Sequence, residues 1–226
     1  RDPATGQIPE NARKKDLAFA EQMPNRLQKT ANSWQPRGPV NVGGRSRALE
    51  IDVSDDTYQT ILAGGVSGGM WRTTDGGTTW TRTFDPDQRP NVTALDQDPR
   101  SGRQDVWFVG SGEYRGNSAS GGNAFYVGNG IYKSTDGGQS WTLLPSTTSD
   151  ETTFDSFFDY TFALEVDSSA AKDGSEGTDS EVYAATYGRI YRTTDGGANW
   201  TPVLTSDTAN VGNWASYTDV AITSDG

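Results

Sequence analysis

The chain has 226 residues, 30 of them acidic and 19 basic, for a net charge of −11. That balance leaves no basic stripe to neutralise phosphates, which argues against nucleic acid and against an anionic membrane surface as partners. Cysteine and histidine are both absent; this excludes disulfides, thiolate metal sites, a Ser-His-Asp triad and most zinc sites, and leaves carboxylates, Tyr, Lys and Arg for any chemistry.

Residues 1–33 differ from the rest. Pro9 is placed to open a helix over 12–23, with Leu17, Phe19 and Ala20 as a modest apolar face, and Pro24 stops it. The leader reads either as a loose segment or as an arm clasping the body or a partner. From Trp34 onward the pattern is strands. First strands are expected over 47–52, 93–98 and 162–167, and second strands over 60–64, 106–110 and 182–186. Third strands end in Trp71-Arg72, Tyr132-Lys133 and Tyr191-Arg192, and fourth strands start from Trp80, Trp141 and Trp200.

Between third and fourth strands one motif recurs at a period of about 60 residues. Its copies are Thr73-x-Asp75-x-Gly77-x-x-Trp80, Ser134-x-Asp136-x-Gly138-x-x-Trp141 and Thr193-x-Asp195-x-Gly197-x-x-Trp200. An Asp-Gly-Gly between strands is a hairpin turn: glycine supplies positive φ, while the carboxylate and the hydroxyl two residues earlier accept backbone N–H groups. The Trp packs on neighbouring strands and its indole N–H needs a partner. With one acid per turn and no clustered ligands, these aspartates read as staples rather than as catalytic or metal-binding groups.

Four short antiparallel strands per unit, repeated radially, make an all-β fold of the β-propeller type. Blades are expected over about 34–84, 90–145 and 159–205, with a fourth starting at 217. Three blades do not close a ring, so the chain is expected to be the N-terminal part of a longer propeller.

The three boxes resemble the bacterial neuraminidase repeat, or Asp-box, found in sialidases, xyloglucan-cleaving glycosidases, sortilin-type receptors and photosystem assembly propellers. The stretches 34–47 and 63–72, together with the leader, resemble large secreted propellers of Bacteroidota that end in a type IX secretion sorting domain. That resemblance implies an extracellular or cell-surface location, with a glycan or protein ligand and type IX secretion components as partners. In xyloglucan-cleaving relatives a catalytic Asp precedes a Gly-Gly-aromatic stretch after the second strand of the first blade; here that position is Val66. Pro36-Arg37-Gly38-Pro39 matches the sialidase Arg-Ile-Pro segment only superficially. The resemblance therefore implies a binding module without catalysis in this segment. The alternatives are a glycoside hydrolase whose carboxylates lie partly elsewhere and a structural or adhesive component.

In a four-stranded meander the boxes share one face with the strand 1–2 turns, so ligand chemistry is expected on the opposite face. The insertion at 111–129 offers Glu113, Tyr114, Arg115, Asn123, Phe125 and Tyr126, the mixture of flat apolar rings and polar groups that a sugar site needs; the alternative is an insertion packing on a neighbour. The link at 147–160 is acidic and aromatic, with Asp155, Asp159 and Tyr160 as ligand candidates beside Phe154, Phe157 and Phe158; paired carboxylates there would suit glycoside hydrolysis. Tyr187 lies on the same face. Arg45 and Arg47 begin the first strand and suit a carboxylate ligand or neighbouring acids. No cofactor is assigned. The loop at 167–181 holds Asp173, Glu176, Asp179 and Glu181 and is weighed for calcium, but it lacks EF-hand spacing.

Overall fold

The computed structural model describes residues 14, 15, 17–19, 45–88, 91–114, 125–150, 152–169, 179–205 and 218–223. Three antiparallel sheets of four strands follow one another along the chain. The first contains β1 (Ser46–Ile51), β2 (Ile61–Gly65), β3 (Gly69–Thr73) and β4 (Thr81–Arg82). The second contains β5 (Val92–Gln97), β6 (Trp107–Ser111), β7 (Ile131–Ser134) and β8 (Thr142–Leu143). The third contains β9 (Thr161–Val166), β10 (Val182–Thr186), β11 (Arg189–Thr193) and β12 (Thr201–Thr205). Each sheet pairs its strands in sequence order, the expected meander. All three fourth strands begin one residue after the Trp from which they were expected to start, and those of the first two sheets are two residues long. No described helix is long and apolar enough to cross a membrane. Of the leader, Lys14, Lys15 and Leu17 to Phe19 are helical, and Lys14 reaches Asp87 at 3.1 Å; the rest of that segment lies outside the described residues.

The first strand of each sheet faces that of the next: β1 packs on β5 and β5 on β9. Approach is close because the second strand carries a glycine where the neighbour's first strand arrives. A Cβ on Gly64 would stand 2.2 Å from Val92 Cγ1, and one on Gly110 would stand 2.5 Å from Thr161 Cγ2. Apolar side chains fill the seams: Leu62, Met70, Phe84, Val92, Trp107 and Tyr132 between the first two sheets, and Phe108, Ile131, Phe158, Val182 and Tyr191 between the second and third.

The boxes form as expected. Thr73 Oγ1 accepts from Gly77 N at 3.0 Å and donates to Asp75 Oδ1 at 2.7 Å, and that carboxylate accepts from Thr79 N at 2.8 Å. Ser134 with Asp136 and Thr193 with Asp195 repeat the pattern. The backbone N–H of Thr79, then the hydroxyls of Thr79 and Thr73, draw the Asp75 carboxyl down to about 2. Both glycines of each box sit at positive φ, as the turn requires. The indoles differ: Trp80 Nε1 donates to Gly77 O, Trp141 Nε1 donates to Thr83 Oγ1, and Trp200 Nε1 is buried without an acceptor. The boxes also join the blades, since Arg72 Nε donates to Gly137 O and Lys133 Nζ to Gly196 O, both at 3.0 Å.

Along the inner strands, Glu50, Asp96 and Glu165 face one another beside a groove of about 200 Å³. Asp96 accepts the backbone N–H of Val166 in the next blade and that of Gln97. Burial nonetheless pushes its carboxyl up to about 7, helped by Glu165 and Glu50 and opposed by those two amides.

Two outcomes follow from these contacts. Ser134→Ala and Thr193→Val each leave a buried glycine N–H without an acceptor, and each lowers stability by about 1–3 kcal/mol in chemical denaturation. The folded-state value for Asp96 lies above the roughly 4 of an unfolded Asp, so the folded chain holds the proton more tightly. Its contribution is whole below about pH 4 and is lost as pH rises through about 7. Asp96→Asn flattens that decline, read as denaturation midpoints across the interval.

Candidate functional site

The insertion between β6 and β7 dwarfs its counterparts, Val66 to Gly68 and Tyr187-Gly188. At its base Glu113 and Tyr126 pair as an antiparallel bridge, with backbone bonds of 2.8 and 2.9 Å. Asn91 clamps the returning strand by donating to Tyr126 O and Val127 O. Arg115 and Asn123, both expected on the ligand face, lie outside the described residues.

The insertion, the link to the third blade and the β10–β11 turn converge on one cluster of rings. Tyr114 meets Tyr187 at 4.8 Å, Tyr160 at 5.3 Å and Phe125 at 5.8 Å between centroids. Phe154 stacks on Tyr160 at 5.5 Å with 24° between planes and meets Tyr187 edge-on at 5.3 Å. Tyr160 is the buried floor, whereas Phe125 and Phe154 expose 46% and 49% of their surface. Tyr126, next to Phe125 in sequence, exposes 45%. Aromatic rings clustered at these distances hold one another in place and leave outward faces for stacking. The shelf thus joins Tyr114, Phe125, Tyr160 and Tyr187 from the expected set and adds Phe154; Tyr126 makes the backbone bridge to Glu113 and no ring contact within the shelf among the described residues. Phe154 stood in a visibly aromatic link, but only the tertiary structure shows that it belongs with Tyr160.

The charged candidates are placed differently. Glu113 is 2% exposed and is held by Arg45 and, at 3.0 Å, by Arg47. The arginines, reached for as carboxylate binders, already have a carboxylate from within the chain. Arg47 arrives there through a β-bulge: the register of β1 on β2 slips between Ser46 and Ala48, and the same slip recurs between Val92 and Ala94. A bulge re-aims the extra side chain. The expectation for Asp159 is corrected. Its side chain is buried and caps a 3₁₀ turn over Phe157–Asp159, accepting the N–H groups of Asp155 and Ser156 at 2.9 Å together with the Ser149 hydroxyl. The spacing Ser156-x-x-Asp159 was a legible capping-box signal. Burial pushes that carboxyl above the usual range, against the bonds it receives. Asp155 is exposed and accepts from Asp150 N at 3.2 Å. Asp155 thus braces its loop and Asp159 caps the turn.

Val66 is buried in the β2–β3 turn, where its N–H donates to Arg45 O at 2.8 Å. In the loop weighed for calcium, Asp179 pairs with Arg103 at 3.3 Å and Glu181 with Arg192, while Asp173 and Glu176 lie outside the described residues. No group of three or more acids suited to a metal occurs among the described residues.

The BNR/Asp-box repeat family matches residues 132–143, the second box with its flanking strands. The crystal structure of an ancestral GH74 enzyme superimposes with a TM-score of 0.51 at 20% identity, over 73% of this chain and 19% of that one. The three sheets are blades of an Asp-box β-propeller. A xyloglucanase from Paenibacillus sp. is 26% identical over 209 residues, which is 84% of this chain and 19% of the relative. A structure titled YCF48 bound to D1 peptide is looser still, with a TM-score of 0.41 at 22% identity over 70% of this chain and 40% of that one. The chain thus spans about a fifth of the length of the xyloglucanase and the ancestral enzyme.

Removing the Glu113 carboxylate leaves two guanidinium groups, each 39% exposed, facing a buried void. Glu113→Ala lowers stability by about 2–3 kcal/mol, less than for a fully buried pair because water reaches both arginines. The denaturation midpoint of the variant checks this.

Proposed function

We propose that this segment of the propeller is a non-catalytic binding face whose ring shelf takes a glycan. One observation carries the reading: Phe125 and Phe154 present open faces, while the acids beside them at Glu113 and Asp159 are buried and occupied by arginines or by backbone N–H groups. Flat exposed rings with hydroxyl-bearing tyrosines suit the apolar face and rim of a sugar. Hydrolysis with retention or inversion needs two carboxyl groups about 5–10 Å apart and available to substrate. Glu113 and Asp159 are both buried and engaged, and Val66 stands where the resemblance to xyloglucan-cleaving propellers calls for an acid. An extracellular or cell-surface location belongs to the same proposal, and fractionation of cells and medium tests it.

The second reading is a glycoside hydrolase acting with carboxylates from elsewhere in a longer protein. The 26% identity to a xyloglucanase over 84% of the chain favours it. The two readings part in one experiment: full-length protein is incubated with a panel of polysaccharides and sialylated glycans, scoring retention and release of reducing ends together. Binding without catalysis gives retention without release, and Phe125→Ala with Phe154→Ala weakens retention about tenfold while the denaturation midpoint stays within the range of surface substitutions. Release of reducing ends establishes the second reading instead.

A further inference from the structure

A second recess lies on the box face, between the outer strands of the first blade and the box of the second. It encloses about 300 Å³ and is lined by Arg72, Thr74, Thr81, Thr83 and Gln139 among others, with no acidic side chain among the described residues of its wall despite the net charge of −11. Arg72 spends its Nε on Gly137 O at 3.0 Å; its two terminal nitrogens have no acceptor among the described residues. The hydroxyls of Thr74 and Thr81 likewise have no partner there. The adjacent Asp75 carboxylate is saturated by Thr73 and Thr79.

The repeat supplies an internal control. At the matching place between the second and third blades, Lys133 replaces Arg72, Leu144 replaces Thr83, Ala198 replaces Gln139 and Leu143 replaces Arg82. Leu144 packs so tightly on that box that a Cβ on Gly197 would stand 2.5 Å from its Cδ1. Lys133 is drawn onto Gly196 O at 3.0 Å, and burial holds its ammonium below the usual range. The third blade's seam is thus filled by apolar atoms and a single-point cation. The first is left open, with a planar fork of donors and free hydroxyls.

We propose that this recess is an oxyanion-binding site, taking a sulfate or carboxylate group through the terminal nitrogens of Arg72 and the hydroxyls of Thr74 and Thr81. A guanidinium fork matches two oxygens of such a group, whereas an ammonium offers only a point charge. The site is separate from the ring shelf and does not depend on it.

Full-length protein labelled with fluorotryptophan reports on the site through Trp141, whose indole N–H donates to Thr83 in the wall at 2.9 Å. The probes are inorganic sulfate and glucuronic acid, with glucose as the uncharged control and Trp141→Phe to assign the signal. Sulfate and glucuronate shift the Trp141 resonance saturably and glucose does not. By calorimetry, Arg72→Lys weakens both about tenfold or more while retaining the bond to the box, as Lys133 does in the next blade. Thr83→Leu, the residue type the protein itself uses at the next seam, abolishes binding. A saturable shift with glucose of equal affinity, a shift that never saturates, no shift at all, or undiminished affinity in Arg72→Lys overturns the proposal.

Discussion

A buried hydroxyl organises each blade. Thr73, Ser134 and Thr193 are each 2% exposed, and each accepts a glycine N–H four residues on while donating to the aspartate two residues on. With that hydroxyl satisfied, the Asp is free to gather the N–H groups at the far side of the turn, and the chain reverses direction in one fixed shape. The reversal delivers the Trp back onto the sheet. It also turns the first glycine carbonyl outward, where Arg72 and Lys133 of the preceding blades find it. A turn held by local hydrogen bonds thereby becomes the contact that sets one blade against the next.

This division of labour frees the opposite face. At the strand 2–3 connection of the second blade the staple sits at the base instead: the buried Ser111 hydroxyl accepts Asn129 N and donates to Gly130 O, so the loop beyond can lengthen without loss of the blade. The first and third connections are short, and only the second expands into the ring shelf. Its base is secured from outside the blade: Arg45 and Arg47 of the first blade hold Glu113, and the capped turn at Phe157–Asp159 holds the floor ring Tyr160 in register. The shelf is a joint product of three blades, which is why its rings are mutually supported at centroid distances near 5 Å.

Seams that look equivalent in sequence need not be equivalent in chemistry. Thr83 and Leu144 occupy the same place after successive Trp residues, yet one accepts an indole N–H and opens a polar recess while the other fills the space and leaves Trp200 Nε1 without an acceptor. Small substitutions at a repeated position thus diversify the surface while the frame stays constant.

The amino-acid sequence alone determined the boxes and the strand order within a blade, because each depends on groups within a few residues of one another: hydroxyl to glycine, carboxylate to the following turn, alternation along a strand. It also exposed the aromatic character of the insertion and of the following link. What it could not show is which of those residues meet. Glu113 finds Arg45 and Arg47 more than sixty residues away, by way of a bulge that alters register without marking composition. Phe154 and Tyr114 meet the same two rings, Tyr160 and Tyr187, only because two blades pack side by side. Asp159, an apparent ligand by type and neighbourhood, turned out to be a cap once its amide donors were in place. Local hydrogen bonding is written in short spacings; the partners of a buried charge or a clustered ring are decided by how the sheets dock, and there the tertiary structure has the deciding word.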